Sequence, residues 1–160
     1  MAAKPGDKRL RAVWEERRYA LGRLLLMARR DYIAHLTEAI RAEGETILPE
    51  ACIILMPYLE IEGTRATTLA ERSGLTKQRI GKITDDMQRL GLVERRPDSA
   101  DGRAWTIVFT SKGLERLYVV HKAIRAVEKQ YMKRIGMDRL EQMRGLLSCL
   151  VYGAEKKPGG

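Results

Sequence analysis

Apolar residues recur along the first quarter of the chain at three, four or seven residues, through Leu10, Trp14, Leu21, Leu25, Ala28, Tyr32, Leu36 and Ile40. That spacing follows the helical period of about 3.6, and no proline interrupts it from Lys8 to Glu43. It predicts one amphipathic helix, capped by Asp7 and closed by Gly44, with Gly22 as the place for a kink; at ~1.5 Å per residue it would run ~54 Å. A helix that long exceeds the width of a domain of this size, so its stripe must be covered by other long helices or by a second subunit. A second helix is expected over residues 50–60 after Pro49, with Cys52, Ile53, Leu55, Met56 and Leu59 as its apolar body and Pro57 bending or tightening it.

After Gly63 the signals shorten. A segment 64–66 leads to a short helix with Thr67 or Thr68 as N-cap, Thr68 pairing with Glu71 as a capping box, and it stops at Ser73-Gly74. Thr76 caps the next helix, whose inner stripe is Ile80, Ile83, Met87 and Leu90 before Gly91. The period then drops to two. Residues 92–96 and 104–109 read as antiparallel strands, with Trp105, Ile107 and Phe109 on one face and a loop over 97–103 between them. Helix returns from Ser111, striped by Leu114, Leu117, His121, Ile124, Val127, Tyr131 and Ile135, and a last helix carries Leu140, Met143, Leu147 and Leu150. The tail, 155–160, is expected to be disordered.

Charge narrows the function. The 160 residues carry +9, and the excess is not uniform: residues 1–31 sum to +5, 32–71 to −5, 72–110 to +3 and 111–160 to +6. Basic regions flanking an acidic middle point to an anionic partner, nucleic acid first. No apolar run approaches the ~18 residues of a membrane span, and the start lacks a signal-peptide core, so a soluble, cytoplasmic protein is expected. Two distant cysteines and two histidines give neither a disulfide framework nor a structural zinc site. Asp85 and Asp86 are adjacent on a helix and diverge by about 100°, and no nucleophile triad, phosphate-cradling glycine loop or metal-ligand pair is present. No enzyme, metal or cofactor is expected. Cys52 and Cys149 read as inert buried thiols, and His121 as an interface histidine.

The run from Leu69 to Ile83 has helix-turn-helix spacing: Ala70 lets two helices cross closely, Gly74 four residues on can take positive φ, and Ile80 and Ile83 plug the second helix into the core. With Ile80 inward, Gln78, Gly81, Lys82, Asp85 and Arg89 face away. Gln78 and Lys82 are then placed to read base edges, and Thr76, Lys77 and Arg79 to reach the backbone. The hairpin that follows carries Arg95, Arg96 and Arg103, a cation cluster suited to phosphate or a minor groove.

From Thr67 to Leu114, with Arg95-Arg96-Pro97-Asp98-Ser99-Ala100-Asp101-Gly102-Arg103 as wing and Thr110-Ser111-Lys112-Gly113 after it, the chain resembles the MarR family of multiple antibiotic resistance regulators. The order of the flanking helices also fits. The resemblance implies a mainly α fold with a small β-wing: a winged helix-turn-helix over 46–110, with 1–45 and 111–154 as a helical dimerisation region. It implies a homodimeric repressor of double-stranded DNA bearing an inverted repeat, released by a small anionic or aromatic effector. It places the Asp-x-Arg wing motif on Asp101-Gly102-Arg103, with Arg103 in the minor groove and Asp101 orienting it. One position departs: Gly81 stands where the family usually has Ser or Thr, losing a hydroxyl and about 1 kcal/mol of helix stability. The family's effector crevice maps here to Tyr32, His35, Cys52 and Met56, with Arg29 or Arg30 as cation, and the basic first helix with Trp14 would suit a larger anion such as an aromatic acyl thioester. The cysteine of the family's peroxide-sensing branch, early in the first long helix, is missing. A winged-helix module used for protein contacts is the alternative.

Overall fold

The computed structural model describes residues 8–44, 48–98 and 104–153. The expected N-cap Asp7 and the tail 155–160 lie outside them. Helices α1 (Lys8–Tyr19) and α2 (Leu21–Ala42) replace the single long helix, and the break falls at Ala20, whose ψ of 126° is extended, rather than at Gly22. Alanine has the highest helix propensity, so nothing local at position 20 ends the helix. No residue of α1 is buried, and α2 is buried only toward its C-terminal half, at Leu36 and Ile40.

Helix α3 (Glu50–Leu55) tightens into a 3-10 turn (Met56–Tyr58) where Pro57 removes a backbone donor. Strand β1 (Thr64–Arg65) runs straight into α4 (Ala66–Ser73), so the cap position is Arg65, and neither Thr67 nor Thr68 serves. The reason is tertiary. Thr64 and Arg65 pair with Ile107 and Thr106, which fixes the last extended residue and makes the next one helical. Gly74 turns the chain at φ +68°, and Thr76 caps α5 (Lys77–Arg89) by accepting from the Arg79 N–H at 3.2 Å. Strands β2 (Val93–Pro97) and β3 (Trp105–Phe109) complete an antiparallel sheet of order β1-β3-β2, in which Arg95 lies opposite Ile107. Ile107, Val108 and Phe109 are all buried, whereas Trp105, expected on their inner face, is 55% exposed because its end of β3 projects past the core.

Helix α6 (Ser111–Ile135) starts under close constraint. The Thr110 hydroxyl donates to the Gly91 carbonyl at 2.6 Å and accepts from the Gly113 N–H at 3.0 Å, while the Lys112 ammonium donates to the Leu90 carbonyl at the end of α5 at 2.8 Å. A Cβ on Gly113 would lie 1.9 Å from the Leu92 carbonyl oxygen, so only glycine fits between helix and strand. The buried face of α6 runs through Arg116, Val120, Ala123 and Val127, one position round from the expected stripe; Leu114, Leu117, Ile124 and Tyr131 are half-buried and His121 is exposed. Helix α7 (Met137–Tyr152) buries Leu140 alone. The core gathers Leu36, Ile40, Leu55, Leu69, Ile80, Met87, Ile107 and Val127 between α2, α3, α4, α5, the sheet and α6.

Candidate nucleic-acid interface

Burial of Ile80, Ile83 and Met87 rotates α5 so that Thr76, Lys77, Gln78, Arg79 and Lys82 are exposed together along its first turns. Among the described residues, none hydrogen-bonds or pairs with the side chains of Lys77, Gln78, Arg79 or Lys82, so three cations and an amide stand solvated on the second helix of the helix-turn-helix. A Cβ on Gly81, on the same surface, would touch nothing within 4 Å. The helix N-terminus adds its own unpaired N–H groups and partial positive charge beside them. The ensemble is polar, cationic and uncovered, which suits a polyanion.

The wing residues behave differently from one another. Arg95 is committed: its Nη2 lies 2.6 Å from Asp85 Oδ1 and 3.2 Å from Thr84 Oγ1, both on α5. Arg96 pairs with Glu94 at 2.6 Å and remains largely exposed. Asp101 and Arg103 lie outside the described residues. Sequence reasoning missed Arg65, whose guanidinium meets both oxygens of Asp98 at 2.6 and 2.5 Å, while the Thr106 hydroxyl donates to the same carboxylate at 2.9 Å. These partners lie 33 and 8 residues from Asp98, and no local pattern announces them.

The proposed effector residues do not form one lining in the single chain. Arg29, Arg30 and His35 border an open depression of about 480 Å³ on α2 with Leu26, Ile33 and Glu50. Tyr32 faces a second hollow of about 310 Å³ between α2, α6 and α7, beside Tyr131, Leu140, Met143 and Leu147. Cys52 and Met56 are core residues, 0% and 4% exposed, because that side of α3 packs inward with α5 and the rest of the core. Burial, with Asp86 nearby, pushes the Cys52 thiol up, which keeps it protonated. Cys149, expected buried, is exposed. Between the two hollows, the His35 Nδ1–H donates to the Asp31 carbonyl (2.8 Å) and the ring stands edge-on to Tyr131, whose hydroxyl donates to Asp31 Oδ2 at 2.9 Å. Burial and that carboxylate push Tyr131 up to about 12.

Residues 51–104 match the MarR family. No curated protein matches the chain in sequence. Among solved structures, a MarR-family transcriptional regulator from Rhodococcus sp. RHA1 is similar at 21% identity and a TM-score of 0.68, over 82% of this chain and 92% of that one. CouR from Rhodococcus jostii RHA1, solved with p-coumaroyl-CoA, is similar at 21% identity and a TM-score of 0.66, over 86% of this chain and 96% of that one. The transcriptional repressor CouR bound to a 23-mer DNA duplex matches at 18% identity and a TM-score of 0.67, over 94% and 99%. Among the described residues no helix is long and apolar enough to cross a membrane. The matched segment is thus similar to the MarR family, and the chain has the winged helix-turn-helix fold of the MarR structures it resembles.

Proposed function

We propose that the chain is a homodimeric, sequence-specific DNA-binding transcriptional regulator, a repressor released by a small anionic or aromatic ligand. The observation that carries the DNA-binding part is the uncovered face of α5: Lys77, Gln78, Arg79 and Lys82 are solvated beside a wing, in a fold that CouR presents to a DNA duplex. In this reading Gln78 and Lys82 read base edges in the major groove, Thr76, Lys77, Arg79 and Arg96 hold phosphates, and Arg103, oriented by Asp101, enters the adjoining minor groove.

Dimerisation is supported by the apolar surface the single chain leaves open. Leu10, Val13 and Trp14 on α1, Leu21, Leu24 and Leu25 on α2, and Leu146, Leu150 and Val151 on α7 are all more than 40% exposed, more large apolar surface than scattered single residues account for. Residues 1–45 and 111–154 are accordingly the dimerisation region, around the DNA-binding unit 46–110. The effector is best accommodated by the depression bordered by Arg29, Arg30 and His35, whose lining also includes the apolar Leu26 and Ile33. A CoA thioester, the ligand of CouR, combines the anionic and aromatic character such a surface suits.

Selection of duplexes from a randomised pool by the full chain tests this. Recovery of an inverted repeat whose affinity falls steeply with salt is the expected result, since phosphate contacts release counterions. Failure to enrich any duplex, or binding indifferent to salt, favours a winged-helix module that contacts protein instead.

A further inference from the structure

We propose that Asp85 and Arg95 form a clamp that sets the angle between the recognition helix and the wing, so that Arg95 is a positioning residue of the DNA-binding surface and not one of its phosphate contacts. The proposal rests on the DNA-binding reading above and deepens it.

Asp85 is a carboxylate in an unfavourable place. At 100° per residue, Gln78, Lys82, Asp85 and Arg89 fall within about 60° of one another on α5, so Asp85 belongs to the stripe that would face DNA. Duplex DNA presents one negative charge per ~1.7 Å of axis, and an unneutralised carboxylate there opposes binding. Arg95 neutralises it, and its geometry is over-determined for a chance surface pair. The same Nη2 that meets Asp85 at 2.6 Å also meets Thr84 Oγ1 at 3.2 Å. Thr84 is buried, and its hydroxyl lies 3.0 and 2.9 Å from the Ile80 and Gly81 carbonyls, so the acceptor for Arg95 is fixed in place by α5 itself.

A second clamp acts at the far end of the same strand. Asp98, at the root of the hairpin loop, is only 11% exposed at its side chain and is gripped by Arg65 of β1 and by Thr106 of β3, while its own N–H donates to the Ala104 carbonyl at 2.9 Å. Strand β2 is therefore tied to α5 at its middle and to β1 at its end. A two-stranded hairpin projecting from a core pivots easily without such ties, and displacement of a contacting group by about an ångström forfeits a hydrogen bond to DNA. Partly exposed ion pairs add little to stability, so breaking the Asp85–Arg95 pair should leave the fold intact and be felt in binding.

The clamp and plain electrostatics predict opposite signs. With a duplex selected by the wild-type chain as probe, Asp85→Asn removes a negative charge next to DNA, yet the clamp predicts weaker binding by about tenfold. Arg95→Gln should weaken binding by a similar factor, and the double variant should be no worse than the poorer single one. The slope of log affinity against log salt should stay that of the wild type in all three, because no phosphate contact is lost; titration at stoichiometric concentration gives the active fraction, so partial unfolding is read separately. Tighter binding by Asp85→Asn, additive losses in the double variant, or a slope reduced by about 0.9 in Arg95→Gln would each overturn the clamp. So would a change in the base preferred by Asp85→Asn, which would make Asp85 a base reader. If Asp85→Asn does not give folded protein, the salt slope of Arg95→Gln decides alone. A wild-type chain that selects no duplex refutes the DNA-binding reading itself, a result distinct from all of these.

Discussion

Two glycines, Gly113 at the start of α6 and Gly81 on α5, should respond to the same substitution with opposite sign. At Gly113 an added methyl would sit 1.9 Å from the Leu92 carbonyl oxygen, 2.9 Å from its carbon and 3.1 Å from Phe109 Cδ1. Two of those neighbours are backbone, held by the Thr110 N–H to Leu92 carbonyl bond at 3.1 Å, so α6 or β2 must move to admit it. Overpacking of this kind costs ~1–3 kcal/mol and more where backbone must shift. For a chain of this size each kcal/mol moves the unfolding midpoint by about 2–4 °C, so Gly113→Ala should lower it by roughly 2–12 °C. At Gly81 the same methyl meets nothing within 4 Å, and the residue lies in the interior of α5 with helical geometry. Gly81→Ala should gain about 1 kcal/mol from helix propensity, a rise of about 2–4 °C. Thermal unfolding followed by circular dichroism at matched protein concentration measures both. A Gly113→Ala chain as stable as wild type would refute the close approach, and a destabilised Gly81→Ala chain would refute the open face assigned to it.

Tyr131 offers a test in alkaline solution: it ionises near 10 when unfolded and at about 12 in the fold, so the folded chain holds the proton more tightly. Its contribution is complete below pH 10 and lost as pH climbs from 10 to about 12, and Tyr131→Phe should flatten that decline while costing about 1–3 kcal/mol at pH 7 in denaturant unfolding; an unchanged slope would contradict the pairing with Asp31. Sedimentation of the full chain at micromolar concentration should show a dimer, and a stable monomer would contradict the role given to α1, α2 and α7. Arg103→Ala should weaken binding to a selected duplex by ~1–3 kcal/mol without altering the unfolding midpoint, and unchanged affinity at physiological salt would reject the minor-groove role. Lys82→Ala should cost discrimination between duplexes, whereas Lys77→Ala should weaken all of them about equally.

What the sequence made legible was local. Thr76 as a cap, Gly74 in the left-handed turn, and the Ile80, Ile83 and Met87 stripe are interactions among residues a few positions apart, and the start and inward face of α5 followed from them. The period-two strands were legible for the same reason. What required the fold was contact at a distance. The start of α4 is decided by pairing with β3, the commitment of Arg95 by a carboxylate ten residues away on another element, and the burial of Cys52 and Met56 by the inward packing of α3. Helical spacing placed Cys52 and Met56 on an apolar face without saying whether that face lined a crevice or closed a core. The break at Ala20 has no local cause, and His121 shows how a stripe that is correct to within one position still exchanges an inward residue for an exposed one.

In the proposed dimer, two copies of the chain present two copies of α5 to one face of DNA. Half-sites must then lie one helical turn apart, ~34–36 Å or ~10–10.5 base pairs, for both helices to enter successive major grooves. Inserting five base pairs between the half-sites of a selected duplex turns one of them to the opposite side. Titration of the wild-type chain against the original and the lengthened duplex, at one salt concentration, measures this directly. The lengthened duplex should bind no better than one of random sequence; undiminished affinity for it would contradict the docking of this dimer on DNA.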